Sequence, residues 1–329
     1  MTVHISPQFD GLRLGSYVKY TLGISTKMLA HLKACEGGIT VNGQHATVRY
    51  ILRTGDVLML ADHDTPQEAT ETVIPADLPL DVLYEDEHLI ALNKPAGMPT
   101  HPSHGHLTDT LANALAYRYA DEGRPFVFRP LGRLDRNTSG VVVAGKTRSV
   151  SGFLYAALQR GEIRKRYVAI LRGSLPDDGL SHVIDVPMRR TPDSVIMRTT
   201  CSMDEPGASA ARTEYRVLLS TPDYTLVEAT PITGRTHQLR VHFAHLGCPI
   251  LGDDLYGTPS PLMDRHALHA LNLAVPIPFF RAETGLRPTE SPDGYRTFHA
   301  PLAKDMREAA RTAFSIDDLQ LDELLRSHR

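Results

Sequence analysis

The segment LGRLDRNTSGVVVAG, residues 131–145, passes from alternating apolar and charged residues through a polar Asn-Thr-Ser-Gly turn into an apolar run. That order reads as a loop feeding a strand at 140–145. Outward from it, strand patterns recur at 88–93, 166–172, 213–220 and 224–230, and helical spacing at 108–119, 149–160, 235–246 and 302–313. Strands and helices alternate irregularly, and strands fall next to one another in pairs. This predicts an α+β fold rather than a doubly wound parallel sheet.

The segment also carries the first chemical candidate. Asp135 lies between Arg133 and Arg136. A guanidinium within contact distance favours the ionised carboxylate, leaving it available as a nucleophile or base at neutral pH. A surface salt bridge at a loop fits the same residues, because Asp–Arg pairs are common and mostly inert. The second candidate is RKRYVAILRG, 164–173, where Lys165 and its neighbours precede Tyr167 at a strand start. Tyr167 can stack on a ring or donate its hydroxyl; a strand tyrosine half-buried against the core is the plainer reading. Residues 131–167 hold eight Lys or Arg against two acids, a local basic patch suited to a phosphate backbone. The third candidate is PITGRTHQLRVHFAHLGCPILGDDLYG, 231–257, where Arg235 is expected in the first turn of a helix and Arg240 lies five residues on. A cation at a helix start opposes the macrodipole, so an anionic partner, either phosphate or Asp135, is expected there.

Composition narrows the classes. The 329 residues carry 35 Lys and Arg against 38 Asp and Glu, so any nucleic-acid surface is local rather than global. Three widely spaced cysteines form neither a CxxC pair nor a disulfide framework, which points to a reducing compartment. No apolar run approaches the ~18 residues of a membrane span, and MTVHISPQFDG lacks an export pattern. Together these predict a cytoplasmic protein. The histidines at 101, 104 and 106, and at 237, 242 and 245, lack the i, i+4 pairing of an HExxH helix and have no adjacent acidic ligand, so no metal is expected. No P-loop and no GxGxxG follows a strand.

The first sixty residues form their own unit. Helical spacing covers 12–22 and 26–35, with Ser25 or Thr26 as the N-cap and Gly37-Gly38 as the stop. Asn42-Gly43 then marks a hairpin between ITVNGQHATV strands. Residues 61–81 hold six acids, three prolines and no Lys or Arg, a solvated linker. The expected organisation is a module at 1–62, a linker at 63–81, a catalytic domain at 82–315 and a tail at 316–329 able to form one amphipathic helix.

Six segments, in this order, resemble the RluA family of RNA pseudouridine synthases. They are LNKPAGMPTHP at 92–102, GRLDRNTSGVVVAGKT at 132–147, RKRYVAILRG at 164–173, the 231–257 segment, LHALNLAV at 268–275 and FHAPLAKDM at 298–306. The resemblance implies a mixed, mainly antiparallel sheet and the isomerisation of uridine to pseudouridine in RNA, with no cofactor. It implies that Asp135 is the catalytic aspartate, Tyr167 the active-site tyrosine, Arg240 the aspartate's ion-pair partner and Arg133 the residue that helps displace the target base. Arg136, Lys165 and Arg235 are expected on the RNA. Where the family often carries histidine, this chain has Gly132. Residues 11–62 resemble the alpha-L RNA-binding motif. The implied partner is RNA, ribosomal sooner than transfer RNA, and the implied state is a monomer. Two other classes stay open: a catalytically silent RNA-binding or ribosome-assembly protein, and an RNA- or nucleoside-directed glycosidase, which would need a second carboxylate paired with Asp135.

Overall fold

The computed structural model describes residues 1–35, 37–60, 73–123, 126–276 and 294–326. Most of the expected acidic linker, 63–72, lies outside the described residues. The chain begins with β1 (Thr2–His4) and a short helical stretch opening with α1 (Leu14–Ser16) and running to Thr21, shorter than the 12–22 spacing predicts. Next come α2 (Thr26–Ala34), β2 (Ile39–Val41), β3 (Gln44–His45) and β4 (Val57–Leu60). Ser25 caps α2 by accepting the Met28 N–H at 3.1 Å. Asn42 and Gly43 join β2 to β3 with φ of 52° and 77°, the left-handed pair that a two-residue hairpin turn needs. These strands form a sheet in the order β1-β4-β2-β3.

The second sheet dominates the fold. Its strands are β5 (Val82–Glu85), β6 (Leu89–Lys94), β7 (Arg129–Pro130), β8 (Ser139–Gly145), β9 (Arg164–Arg172), β10 (Ser181–Asp185), β13 (Arg212–Ser220), β14 (Tyr224–Pro231), β15 (Leu268–Pro276) and β16 (Tyr295–His299). The main path is β10-β13-β14-β9-β15-β8-β6-β5, with β16 on β15 and β7 on β8. Among the described residues, only β15 and β8 pair in parallel. A separate hairpin joins β11 (Met188–Arg190) to β12 (Arg198–Thr200). The expected α+β class, with a mixed and mainly antiparallel sheet, is what the chain adopts.

The helices are α3 (Leu111–Asp121), α4 (Arg148–Gln159), α5 (Gln238–His245), α6 (Lys304–Phe314) and α7 (Asp318–Arg326). The period of two in β6 and β8 assigns their faces. Ile90, Leu92, Val142 and Ala144 pack with Leu111, Leu115 and Tyr119 of α3. Leu89, Ala91, Val141 and Val143 share a core with Phe153, Leu154 and Ala157 of α4 and with the N-terminal module. That module docks closely: a Cβ on Gly23 would fall 2.3 Å from that of Ala156. A third core joins β9, β13 and β14 to α5, α6 and α7, where Leu321 and Leu325 are buried.

The parallel junction places the candidate loop. At Gly140, φ is +112° and a Cβ would lie 2.2 Å from the Ala270 carbonyl oxygen, so only glycine lets β8 approach β15 there. β15 itself escapes a strand reading because LHALNLAVP is buried on both faces and carries no apolar–polar alternation.

Candidate active site

Residues 131–138 run from β7 into β8, and the backbone of the loop is pinned carbonyl by carbonyl. Leu134 O accepts from Thr100 Oγ1 at 3.0 Å. Asp135 O accepts the Thr138 N–H at 3.0 Å. Arg136 O accepts from Lys94 Nζ at 3.0 Å, and Asn137 O accepts from Arg265 Nη1 at 2.8 Å. Below the loop, Thr138 Oγ1 pairs with His266 Nε2 and Ser139 Oγ with His269 Nδ1, both at 2.9 Å. Arg265 is itself held by the Asp305 carboxylate at 2.7 and 2.9 Å. Four successive satisfied carbonyls leave the loop no cheap alternative conformation.

Lys94 is the deepest of these anchors. It is wholly buried at the end of β6 and also donates to Pro95 O and Met98 O, at 2.8 and 2.7 Å. Burial and the nearby charge of Arg265 push its ammonium down to about 7, against the pull of Asp135. Three carbonyl acceptors require all three ammonium protons, so the charged form is the one this geometry serves. His266 and His269 are pushed down to about 3 and about 4 by burial, and so are neutral.

With its backbone fixed, the Asp135 carboxylate stands in the site with its side chain 27% exposed. The arginines flanking it in sequence do not pair with it. Arg136 turns to Gly97 O at 3.2 Å and to His106 Nε2 at 3.4 Å, and Arg133 is exposed beside His101, whose pKa falls through burial and then that charge. Asp135 instead faces Arg240 Nη1 at 3.9 Å and His237 Nε2 at 4.0 Å, both on Oδ2. Neighbours in a pinned turn point away from one another, so the cation comes from a helix about a hundred residues later.

Arg240 is buried in the first turn of α5. The helix begins at Gln238, not at 235, so Arg235 belongs to the turn before it and Arg240 is the first-turn cation. Its burial is compensated by Asp253, which is fully buried and takes Nε and Nη2 in a bidentate pair at 2.7 Å each; Asp254 adds a contact at 2.9 Å. Burial raises the Asp253 carboxyl, but hydrogen bonds from Arg240 and from the Leu255 and Tyr256 N–H groups outweigh it and hold the group below its ordinary value. Asp253 thus orients Arg240, leaving Nη1 for Asp135.

Tyr167 lies on β9 opposite Ala270 of β15. Burial, then the charge of Asp135, raises its phenol, so it stays protonated at neutral pH. Lys165, two residues earlier, sits with Nζ 3.6 Å from where a Cβ on Gly132 would be, and burial lowers it. The fold therefore gathers Asp135, Tyr167 and Arg240, with Lys165 at the loop's edge. Arg133, Arg136 and Arg235 are exposed, Arg235 donating to Ala210 O at 2.9 Å.

Sequence reasoning missed Lys94, Asp253, Arg265 and His237 as site residues. A charge closing an apolar strand was the available signal for Lys94; Arg265 showed none, since its partners are distant in sequence, and Asp253, though in the same segment as Arg240, has nothing in its spacing that singles it out as that residue's partner. The histidine clusters separate. His106 pairs with Asp109 at 2.6 Å, and His242 bonds Thr213 Oγ1 and Val186 O. Among the described residues, no three His, Cys, Asp or Glu side chains form a metal-ligating group.

The family model for RNA pseudouridylate synthase matches residues 88–245, a span that includes Asp135, Tyr167 and Arg240. The chain is 35% identical over 285 residues to the Uncharacterized RNA pseudouridine synthase YjbO of Bacillus subtilis, covering 87% of this chain and 94% of that one. It is 34% identical over 253 residues to the Ribosomal large subunit pseudouridine synthase D of Xanthomonas campestris pv. campestris, covering 76% of this chain and 68% of that one. The solved structure of Human RNA Pseudouridylate Synthase Domain Containing 4 superposes with a TM-score of 0.53 at 25% identity, over 70% of this chain and 92% of that one.

Proposed function

Since the chain belongs to the family of RNA pseudouridylate synthases, we propose that it isomerises uridine to pseudouridine in large-subunit ribosomal RNA with Asp135 as the reacting carboxylate. The observation that carries the role of Asp135 is its setting: the one partly exposed carboxylate on a backbone pinned at four successive carbonyls, faced by the Arg240 guanidinium at 3.9 Å. The reaction breaks the bond between the anomeric carbon and uracil nitrogen, turns the base and joins carbon five to the ribose. It neither gains nor loses atoms and calls for no redox cofactor or ATP.

The target base must leave its stack, at a cost of a few kcal/mol. Arg133, exposed on the catalytic loop, is placed to fill the gap left behind, while Arg136, Lys165 and Arg235 meet the backbone phosphates. Asp135 then acts at the sugar, either by bonding to the anomeric carbon or by removing the neighbouring proton to give a glycal; both routes need it ionised. Arg240, 3.9 Å from Oδ2, fixes the direction of the carboxylate. Tyr167, protonated and partly exposed, supplies a ring to stack on the base and a hydroxyl that can relay a proton, giving its own to the freed ring nitrogen as it takes the one from carbon five.

The ribosomal substrate rests on the relatives named ribosomal large subunit pseudouridine synthase D. We assign residues 1–62 to a second RNA contact, 82–315 to catalysis, and the working protein to a single copy in the cytoplasm. Incubating purified protein with ribosomal RNA tests the reading: pseudouridine at defined uridines supports it, released uracil marks a glycosidase, and binding without conversion marks a silent RNA-binding protein.

A further inference from the structure

Nothing in the proposed chemistry uses His237, yet the chain adopts a costly conformation to place it. Its φ and ψ are 59° and 17°, a left-handed backbone for a residue with a Cβ, immediately before α5. Such a conformation persists where the surroundings over-determine it. The imidazole is only 11% exposed.

Its hydrogen bonds suit a proton on Nε2. Tyr256 Oη accepts the Arg198 N–H from β12 at 2.9 Å and lies 2.8 Å from His237 Nδ1. With the backbone donor satisfied by an oxygen lone pair, the phenol proton is free to go to Nδ1. A neutral imidazole accepting there carries its own proton on Nε2. Burial favours this neutral form and, with the charges of Arg240 and Arg198, outweighs the opposite pull of Asp135 and Asp253. Nε2 points at Asp135 Oδ2 from 4.0 Å, the same oxygen that Arg240 Nη1 faces.

We infer that His237 is a positioning residue which donates its Nε2 proton to Asp135 Oδ2, so that Oδ1 is the oxygen presented to the ribose. The inference rests on the reading of Asp135 as the reacting carboxylate. A neutral second donor directs the carboxylate without the deeper stabilisation that a second cation would impose, which would blunt its reactivity. The 4.0 Å separation tightens when the base enters and expels water, as catalytic contacts commonly do on substrate binding.

The test measures single-turnover pseudouridine formation at saturating RNA, with RNA affinity and melting temperature determined in parallel. His237→Ala is expected to lose about ten- to a hundredfold in rate, the scale of one hydrogen bond to a charged group, at unchanged affinity. His237→Gln, whose amide nitrogen reaches the place of Nε2, regains most of the rate. His237→Asn suits the left-handed backbone better but stops at Nδ1, and stays slow. Tyr256→Phe, which frees the tautomer, falls several-fold. A wild-type rate in His237→Ala, or Gln failing to exceed Asn, overturns the inference; the Gln–Asn comparison holds even if the alanine variant does not fold. Asp135→Asn run alongside separates the two claims. If it is active, the reading of Asp135 fails; if it is inert while His237→Ala is fast, only the role of His237 fails.

Discussion

The loop that carries Asp135 and the N-terminal module are held by opposite kinds of contact. The loop at 134–138 is fixed by polar groups brought from residues 94, 100, 265 and 266, each meeting one atom of the loop. The module is fixed by apolar packing, Ile24 and its neighbours against Gly152 and Ala156 of α4. Directional bonds hold a reacting group to tenths of an ångström, whereas apolar docking stabilises a surface without specifying a single atom. Changes at the loop should therefore register in catalysis, and changes at the docking face in stability and RNA reach.

The largest effect is expected at the base of the site. Arg240→Met leaves Asp253 buried without its partner, a cost of about 3–5 kcal/mol, and should abolish isomerisation and lower the melting temperature sharply. Adding Asp253→Leu removes the stranded charge. Thermal melts of the double variant should recover most of the lost stability while pseudouridine formation stays absent. Recovery of both would mean that Arg240 serves only the fold.

Deleting residues 1–75 comes next. It uncovers α4 around Gly152 and Ala156, each large apolar side chain newly exposed costing roughly 1.5–3 kcal/mol. The expected outcome is a less stable domain that still modifies a short stem-loop and loses more on a long structured RNA, which alone can reach a second module. Equal loss on both substrates, with an unchanged melt, would place the module's influence at the active site.

Acid should loosen the loop. His266 and His269 are neutral when folded, at about 3 and about 4, below their unfolded value of about 6.5. Their contribution is fully present above pH 6.5. As pH falls below it, the unfolded chain takes up protons that the folded chain refuses, and stability declines by about 1.4 kcal/mol per pH unit for each histidine until the folded values are reached. Melting curves from pH 7 to 4.5 should show that slope, and His269→Gln should make it shallower.

The smallest effect belongs to Arg235→Ala. The residue is exposed with one backbone contact, so the turnover rate should hold while RNA affinity falls and its salt slope drops by about one. A changed rate at saturating RNA would move Arg235 into the site.

The same contrast explains what the sequence makes legible. The module's turn and cap were readable because their causes are local: Asn42-Gly43 supplies two left-handed residues in succession, and Ser25 lies three residues from the N–H that it caps. In the large sheet, β6, β8, β9, β13 and β14 were readable from apolar runs bounded by turns, while the shorter β5, β7, β10 and β16 were not. β15 was not, since a strand covered on both faces has no period to detect. Asp135, Tyr167 and Arg240 stood out as residue types in a basic setting and through a family resemblance. Their supports did not, because Lys94 and Arg265 act on backbone oxygens 42 and 128 residues away, and a carbonyl leaves no mark on composition. The flanking arginines were the misleading signal: adjacency to Asp135 in the chain placed their side chains elsewhere.

The most direct measurement is pseudouridine formation by Asp135→Asn under single turnover with saturating RNA. The substitution keeps the shape and removes the charge, and Arg240 and His237 face the carboxylate from 3.9 and 4.0 Å, beyond hydrogen-bond distance. The variant is expected to melt like the native protein, bind RNA with similar affinity and form no pseudouridine. Substantial conversion by the pure variant would contradict this and remove Asp135 from the reaction.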